Sequence, residues 1–217
     1  MQTNNRPQKI WIIGLPRTAT TSVCLAMLDL GFKTAHTAYT NEAFEQAEAI
    51  ADTPVFADFA ALDAAYPNSK FIYLQRDIDA WLPSIRQLLE RMYENLMRED
   101  GGFNPYLKRC YQHIFSPLNL DNIASDEFLK NCYQRHQAQV FAHFEGRGQQ
   151  LLSLNVTEAD GYQKLARFLN VDVCASKTFE VINKGGKVTA WNKVKHPLKV
   201  ESTRNGRIDN SLDCLDI

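Results

Sequence analysis

The chain has 217 residues, 45% of them hydrophobic, and balances 24 Lys and Arg against 25 Asp and Glu for a formal net charge of −1. That is enough apolar material for one core and one domain, and the even charge lacks the basic footprint of a nucleic-acid binder. With a short polar stretch at 1–8, no apolar run near the roughly 20 residues a bilayer span needs, and scattered Cys24, Cys110, Cys132, Cys174 and Cys214 that suit free thiols in a reducing compartment, we expect a cytoplasmic protein with no nucleic-acid or membrane partner.

In chain order, residues 9–13 are a short β-branched run ended by Gly14, as expected of a parallel strand covered on both faces. Residues 14–18 hold a Gly, a Pro and a cation. From Thr20 the spacing turns helical, with Cys24, Met27 and Leu28 on one side. Strand, tight loop and helix aim backbone N–H groups and a positive dipole end at one point, which suits an anion. Gly31 is placed to end this helix, and 32–36 predicts a second strand. Asn41 reads as the cap of a helix bearing Phe44, Ala47 and Ile50 that ends near Pro54. Residues 54–57 predict a third strand closing on Asp58, and 59–66 a short helix broken by Pro67 and Asn68.

Residues 70–75 form a strong strand signal running into Arg76 and Asp77. This alternation predicts an α/β fold, a three-layer sandwich with a central parallel sheet flanked by helices. A long amphipathic helix starts at Asp79, carries Trp81, Ile85, Leu88, Leu89, Met92 and Leu96, and stops at Gly101 and Gly102. Residues 103–125 are aromatic and turn-rich without a clear period, either a substrate-facing insertion or a helical cover. Residues 126–145 predict a helix with Phe128, Cys132, Val140 and Phe144 inward, 151–154 a last strand, and 160–169 a helix with Tyr162, Leu165, Ala166 and Leu169 on one face. One domain, 1–217, is expected, with its core at about 9–193 and 194–217 a peripheral tail.

The loop at 14–22 is not a nucleoside-triphosphate loop, because Ala19 stands five positions after Gly14, Thr20 stands where the Lys belongs, and the cation sits at Arg17. Pro16, Arg17, Thr18, Thr20 and Thr21 resemble the 5′-phosphosulfate loop of the sulfotransferase family, with Ala19 replacing its usual Gly. If that position takes a left-handed backbone, Ala costs about 1 kcal/mol or somewhat more. Arg76 at a strand end and Ser84 eight residues on let a guanidinium and a hydroxyl converge on one phosphate. The pair resembles the family's 3′-phosphate site and gains weight from following the loop in the right order. Asn183, Lys184, Gly185, Gly186 and Lys187, followed by Trp191, resemble the segment that closes over that phosphate, with Asn183 replacing an Arg; a solvated basic loop is the equal alternative. Residues 151–169 followed by Phe179 and Asn183 resemble one branch of the family.

The resemblance implies a P-loop-like fold and a soluble enzyme moving a sulfuryl group from 3′-phosphoadenosine 5′-phosphosulfate (PAPS) to a hydroxyl or amine of a small-molecule acceptor. The product would be adenosine 3′,5′-bisphosphate (PAP), with no metal required. It carries donor binding onto Pro16, Arg17, Thr18, Ala19, Thr20, Thr21, Ser22, Arg76, Ser84, Lys184 and Gly185. Arg17 would stabilise charge on the leaving phosphate without acting as a proton donor. Asp58, just past the expected third strand, is the favoured general base, and His36, at the end of the second, is the alternative. The plainer readings are a helix cap and a strand-end His. His113, His136, His143 and His196 are expected to be structural or exposed. Tyr39, Phe44, Tyr106, Tyr111 and Phe115 suit either an acceptor cavity or cover packing. Two other readings are a kinase-like phosphotransferase, disfavoured by Thr20, and a non-catalytic PAP binder. Neither the acceptor nor the oligomeric state is legible in these residues.

Overall fold

A computed structural model describes residues 9–180 and 191–201. These run β1 (Ile10–Ile12), α1 (Thr20–Asp29), β2 (Thr34–His36), α2 (Asn41–Gln46), β3 (Ala49–Ala51), α3 (Phe59–Ala65), β4 (Lys70–Gln75), α4 (Ile78–Met97), α5 (Pro105–Ile114), α6 (Leu120–Ala124), α7 (Asp126–His143), β5 (Leu151–Asn155) and α8 (Gly161–Leu169), with a 3-10 turn at Trp191–Lys193. The strands form one parallel sheet in the order β2-β3-β1-β4-β5. Trp11 of the central strand stands opposite Ile50 on one side and Phe71 on the other.

Alternation along the strands sets the layers. Ile10 and Ile12 of β1, with Ile72 and Leu74 of β4, pack against Val23 and Met27 of α1 and Leu165 and Leu169 of α8. Trp11, Ile13, Phe71 and Tyr73 point the other way, onto Phe44, Phe59, Leu62 and Val140. Beyond the sheet, α4 packs Trp81, Ile85 and Leu89 against Tyr111, Phe115, Leu129 and Tyr133. The predicted three-layer α/β sandwich is thus the observed one. Because β1 is central and both its neighbours are parallel to it, its following loop opens at the carboxyl edge of the sheet, where such folds bind ligands.

Several elements differ from the sequence reading. The third strand is Ala49–Ala51 rather than 54–57. Pro54 has no N–H to give a ladder, and its carbonyl instead accepts from the N–H groups of Ala57 and Asp58 in a turn. Thr40, not Asn41, caps α2, its side chain accepting from Ala43 N–H at 3.2 Å. Residues 103–125 are a helical cover: Asn104 caps α5 ahead of Pro105, a favoured first helical residue. The tail also begins inside the fold. Thr34 N–H donates to Leu198 O at 3.0 Å, Val200 N–H donates to Thr34 O at 2.9 Å, and Val200 is buried.

His136 joins α7 to the 54–58 turn, its Nε2–H donating to Phe56 O at 2.8 Å. Burial pushes its pKa from 6.5 to about 4. Between those values the unfolded chain takes up a proton that the folded chain refuses, so stability falls as pH drops through that window. Urea unfolding from pH 7 to pH 4 should show a loss of about 2–4 kcal/mol from this group, and His136→Gln should flatten the slope.

Candidate functional site

The loop between β1 and α1 is shaped by close packing at both ends. A Cβ on Gly14 would lie 2.4 Å from Leu74 Cβ and 2.6 Å from Thr18 Oγ1, so only glycine fits. Thr18 closes the turn by donating both its N–H and its hydroxyl to Leu15 O, at 3.2 and 2.7 Å. Arg17 and Ala19 take left-handed backbones, with φ of 72° and 74°. Ala19 is therefore at the strained position the sequence suggested, and as N-cap of α1 it offers no side-chain acceptor. The first-turn N–H groups of α1 are left for another acceptor.

Two distant segments hold this loop. Trp81 of α4 donates its indole N–H to Pro16 O at 2.9 Å. Arg76, at the tip of β4, donates from Nη1 to Arg17 O at 2.7 Å. Its own backbone is gripped by the Tyr133 hydroxyl, which accepts from Arg76 N–H at 3.0 Å and donates to Arg76 O at 3.2 Å. Arg17 reaches across to α4, its Nε donating to Ser84 Oγ at 2.8 Å. Arg17 thus links Arg76, through its carbonyl, to Ser84, through its side chain, and all three line one cavity. Neither guanidinium has an ion-pair partner among the described residues. Burial first, then the charges of Arg76 and Arg91, lower the pKa of Arg17, and burial lowers that of Arg76. Two partly desolvated cations side by side make a site for a multiply charged anion.

They line a cavity of about 1130 Å³ whose walls include residues 16–22, His36, Asp52, Gln75, Ser84 and Tyr111. His36 lies on the β2–β3 side of the loop. Its Nε2 is 3.2 Å from Thr20 Oγ1 and 3.6 Å from Asp52 Oδ2, its Nδ1 is 3.1 Å from Thr37 Oγ1, and its ring stacks on Trp191 with centroids 5.7 Å apart. Asp52 has a left-handed φ of 66° and is fixed by Thr53 N–H, which donates to Oδ1 at 2.8 Å. Burial lowers the pKa of His36, opposed by Asp52, so the imidazole is neutral near pH 7.

Asp58 lies elsewhere. It is not part of the cavity wall and is 7% exposed. Arg109 of α5 holds both its oxygens, with Nη1 at 2.8 Å and Nη2 at 2.5 Å. A carboxylate engaged at both oxygens in an ion pair is poorly placed to take an acceptor's proton. Nor does it cap α3 through its side chain. Of the aromatics, Tyr111 reaches the cavity, whereas Tyr39 stacks on Tyr106 and Phe44 packs against Trp11. Lys184 and Gly185 lie outside the described residues.

Sequence reasoning passed over Asp52, Arg91, the 155–159 turn and the Trp81 anchor. Asp52 was hidden by the misplaced third strand. A signal did exist on α4: Ser84, Gln87, Leu88 and Arg91 follow i, i+3, i+4, i+7 spacing and all face the cavity.

A family model described as a sulfotransferase domain matches residues 37–188, more than half of the chain. The match takes in Asp52, Arg76 and Ser84 and begins after the loop and His36. No curated protein matches the chain.

Replacing Ala19 by Gly should relieve the left-handed strain and raise unfolding free energy by up to about 1 kcal/mol. Gly14→Ala should lower it by about 2 kcal/mol or more through the clash with Leu74. Arg109→Ala strands the Asp58 carboxylate, and since Arg109 is itself about one-third exposed, the expected loss is about 1–3 kcal/mol. Urea denaturation of the three variants checks each value.

Proposed function

The chain belongs to the sulfotransferase family, and from that premise we propose that it moves a sulfuryl group from PAPS to a hydroxyl or amine of a small-molecule acceptor. The observation that carries this is that Arg17, bonded to both Arg76 and Ser84, lines one cavity with them beside the uncapped start of α1. Such a donor has an anionic group at each end, and two cations without an ion-pair partner among the described residues fit both. In this reading the loop N–H groups and Arg17 take the 5′ end. Arg76 and Ser84 take the 3′ end, with Lys184 and Gly185 assigned to the same phosphate.

PAPS, when bound, supplies a sulfuryl group whose departure leaves growing negative charge on a phosphate. Arg17, permanently protonated and held in place by Ser84, hydrogen-bonds to that charge without losing its own proton. The acceptor oxygen or nitrogen gives up its proton to the general base as its bond to sulfur forms. We assign that base to His36 in place of Asp58. A neutral imidazole bordering the cavity can accept a proton, and Asp52 Oδ2 at 3.6 Å then stabilises the resulting imidazolium.

A kinase-like reading has less support, since Thr20 stands at the position of the phosphate-binding Lys. A PAP-binding scaffold shares the anion site but gives the His36–Asp52 pair no task.

Calorimetry should show PAP binding and much weaker binding of ATP with magnesium; the reverse order would refute the reading. Arg17→Ala should lower transfer of labelled sulfate by about 10²-fold or more. His36→Gln should lower kcat by about 10²- to 10⁴-fold with PAP affinity nearly intact, whereas folded Asp58→Asn should stay active. The kcat profile should fall on the acid side through a pKa below that of ordinary imidazole. In Asp52→Asn that limb should move lower still, because the carboxylate that favours the protonated ring is gone.

A further inference from the structure

On the reading above, the cavity must hold an acceptor as well as the donor. At about 1130 Å³ it lies at or above the upper end of single-ligand sites, which run to about 1,000 Å³. The sheet order divides it: residues 155–159, at the end of β5 and just after it, border one side of the loop, and His36 and Asp52, at the ends of β2 and β3, border the other. A third part of the wall comes from Gln87, Leu88 and Arg91 on α4 and Tyr111 on α5. Arg91 lies two turns beyond Ser84 on the same helical face.

Arg91 is unlike its neighbours. Arg86 of α4 is paired with Asp126, and Arg109 of α5 with Asp58. Arg91 is exposed along the cavity and has no carboxylate partner among the described residues. Its charge is close enough to act on Arg17, so a third cation stands at a site where two already serve the two anionic ends of the donor. Beside it, Leu88 offers apolar contact. Tyr111 offers a hydroxyl that burial and the nearby Asp52 keep protonated.

Building on the sulfotransferase reading, we infer that the part of the cavity between α4 and Tyr111 takes an acceptor with its own anionic group, a carboxylate in the simplest case, held by Arg91. The acceptor's hydroxyl or amine then faces His36 and Asp52 while its charged end lies along α4. An acid is thereby selected over its neutral analogue, because only the acid satisfies the unpaired guanidinium.

The test uses the full-length protein with matched pairs of small hydroxy or amino acids and their primary amides, on aromatic and aliphatic scaffolds. Transfer from labelled PAPS should favour the acid by about 10- to 100-fold in kcat/KM within at least one pair. Arg91→Ala should cut that ratio to about 3-fold or less, chiefly through KM, with Arg91→Lys intermediate and PAP affinity within about 3-fold of wild type. Where no pair is turned over, calorimetry on the PAP-saturated protein applies the same criterion to binding. Equal use or equal binding of acid and amide in every pair overturns the inference, as does loss of PAP affinity by more than about 10-fold in Arg91→Ala, which would assign Arg91 to the donor. Failure of the wild-type protein to bind PAP at all sinks the sulfotransferase reading itself and is distinct from both outcomes.

Discussion

Two guanidinium groups fixed on one cavity wall, neither ion-paired among the described residues, are the constraint on which this molecule depends. Arg76 donates to the carbonyl of Arg17 while the Arg17 side chain donates to Ser84, so each cation is fixed by a neutral oxygen and neither forms an ion pair among the described residues, Asp77 favouring the charge of Arg76 from a distance. Such an arrangement costs folding free energy through desolvation and mutual repulsion. The fold holds it in place through packing: Trp81 on Pro16 O and Tyr133 on both backbone groups of Arg76 are bonds from helices whose apolar faces are already committed to the core between α4, α5 and α7. The loop and both guanidinium groups are thereby fixed in position by the fold itself.

The layers and the placing of Arg17, Arg76 and Ser84 around one loop were legible in the sequence because they rest on local signals. Gly14, Pro16, Arg17 and the Thr pair mark a strand-to-helix turn, and β4 with Arg76 and Ser84 is a strand, a tip and a helix start. What was not legible rests on pairing across long separations. The Ala49–Ala51 strand is three residues long and has almost no β signature of its own; it is a strand because β1 and β2 flank it. Reading Ile50 as the last turn of a helix displaced the strand by several residues. With the strand expected at 54–57, Asp58 stands at its end; with the observed strand, Asp52 does.

The contrast between these two acids shows how burial and partners separate roles. Asp52 directly follows β3 and Asp58 follows the 54–57 turn, and both are largely buried. Asp58 faces α5, where a guanidinium occupies both oxygens, and serves to tie the cover helix to the 54–58 turn. Asp52 faces the cavity and a neutral imidazole, leaving a pair between which a proton can be shared. Nothing in the two local sequences separates them; the position of Arg109 on a helix that was hard to predict does.

The stretch after the 3-10 turn also has a bearing on solubility. Residues 198–200 lie along β2, whose backbone groups would otherwise form the outer boundary of the sheet. Lys199 sits over the Trp191 ring that in turn stacks on His36. A protein cut back to residue 193 would expose unpaired ribbon edge, a surface that invites pairing between copies and precipitation.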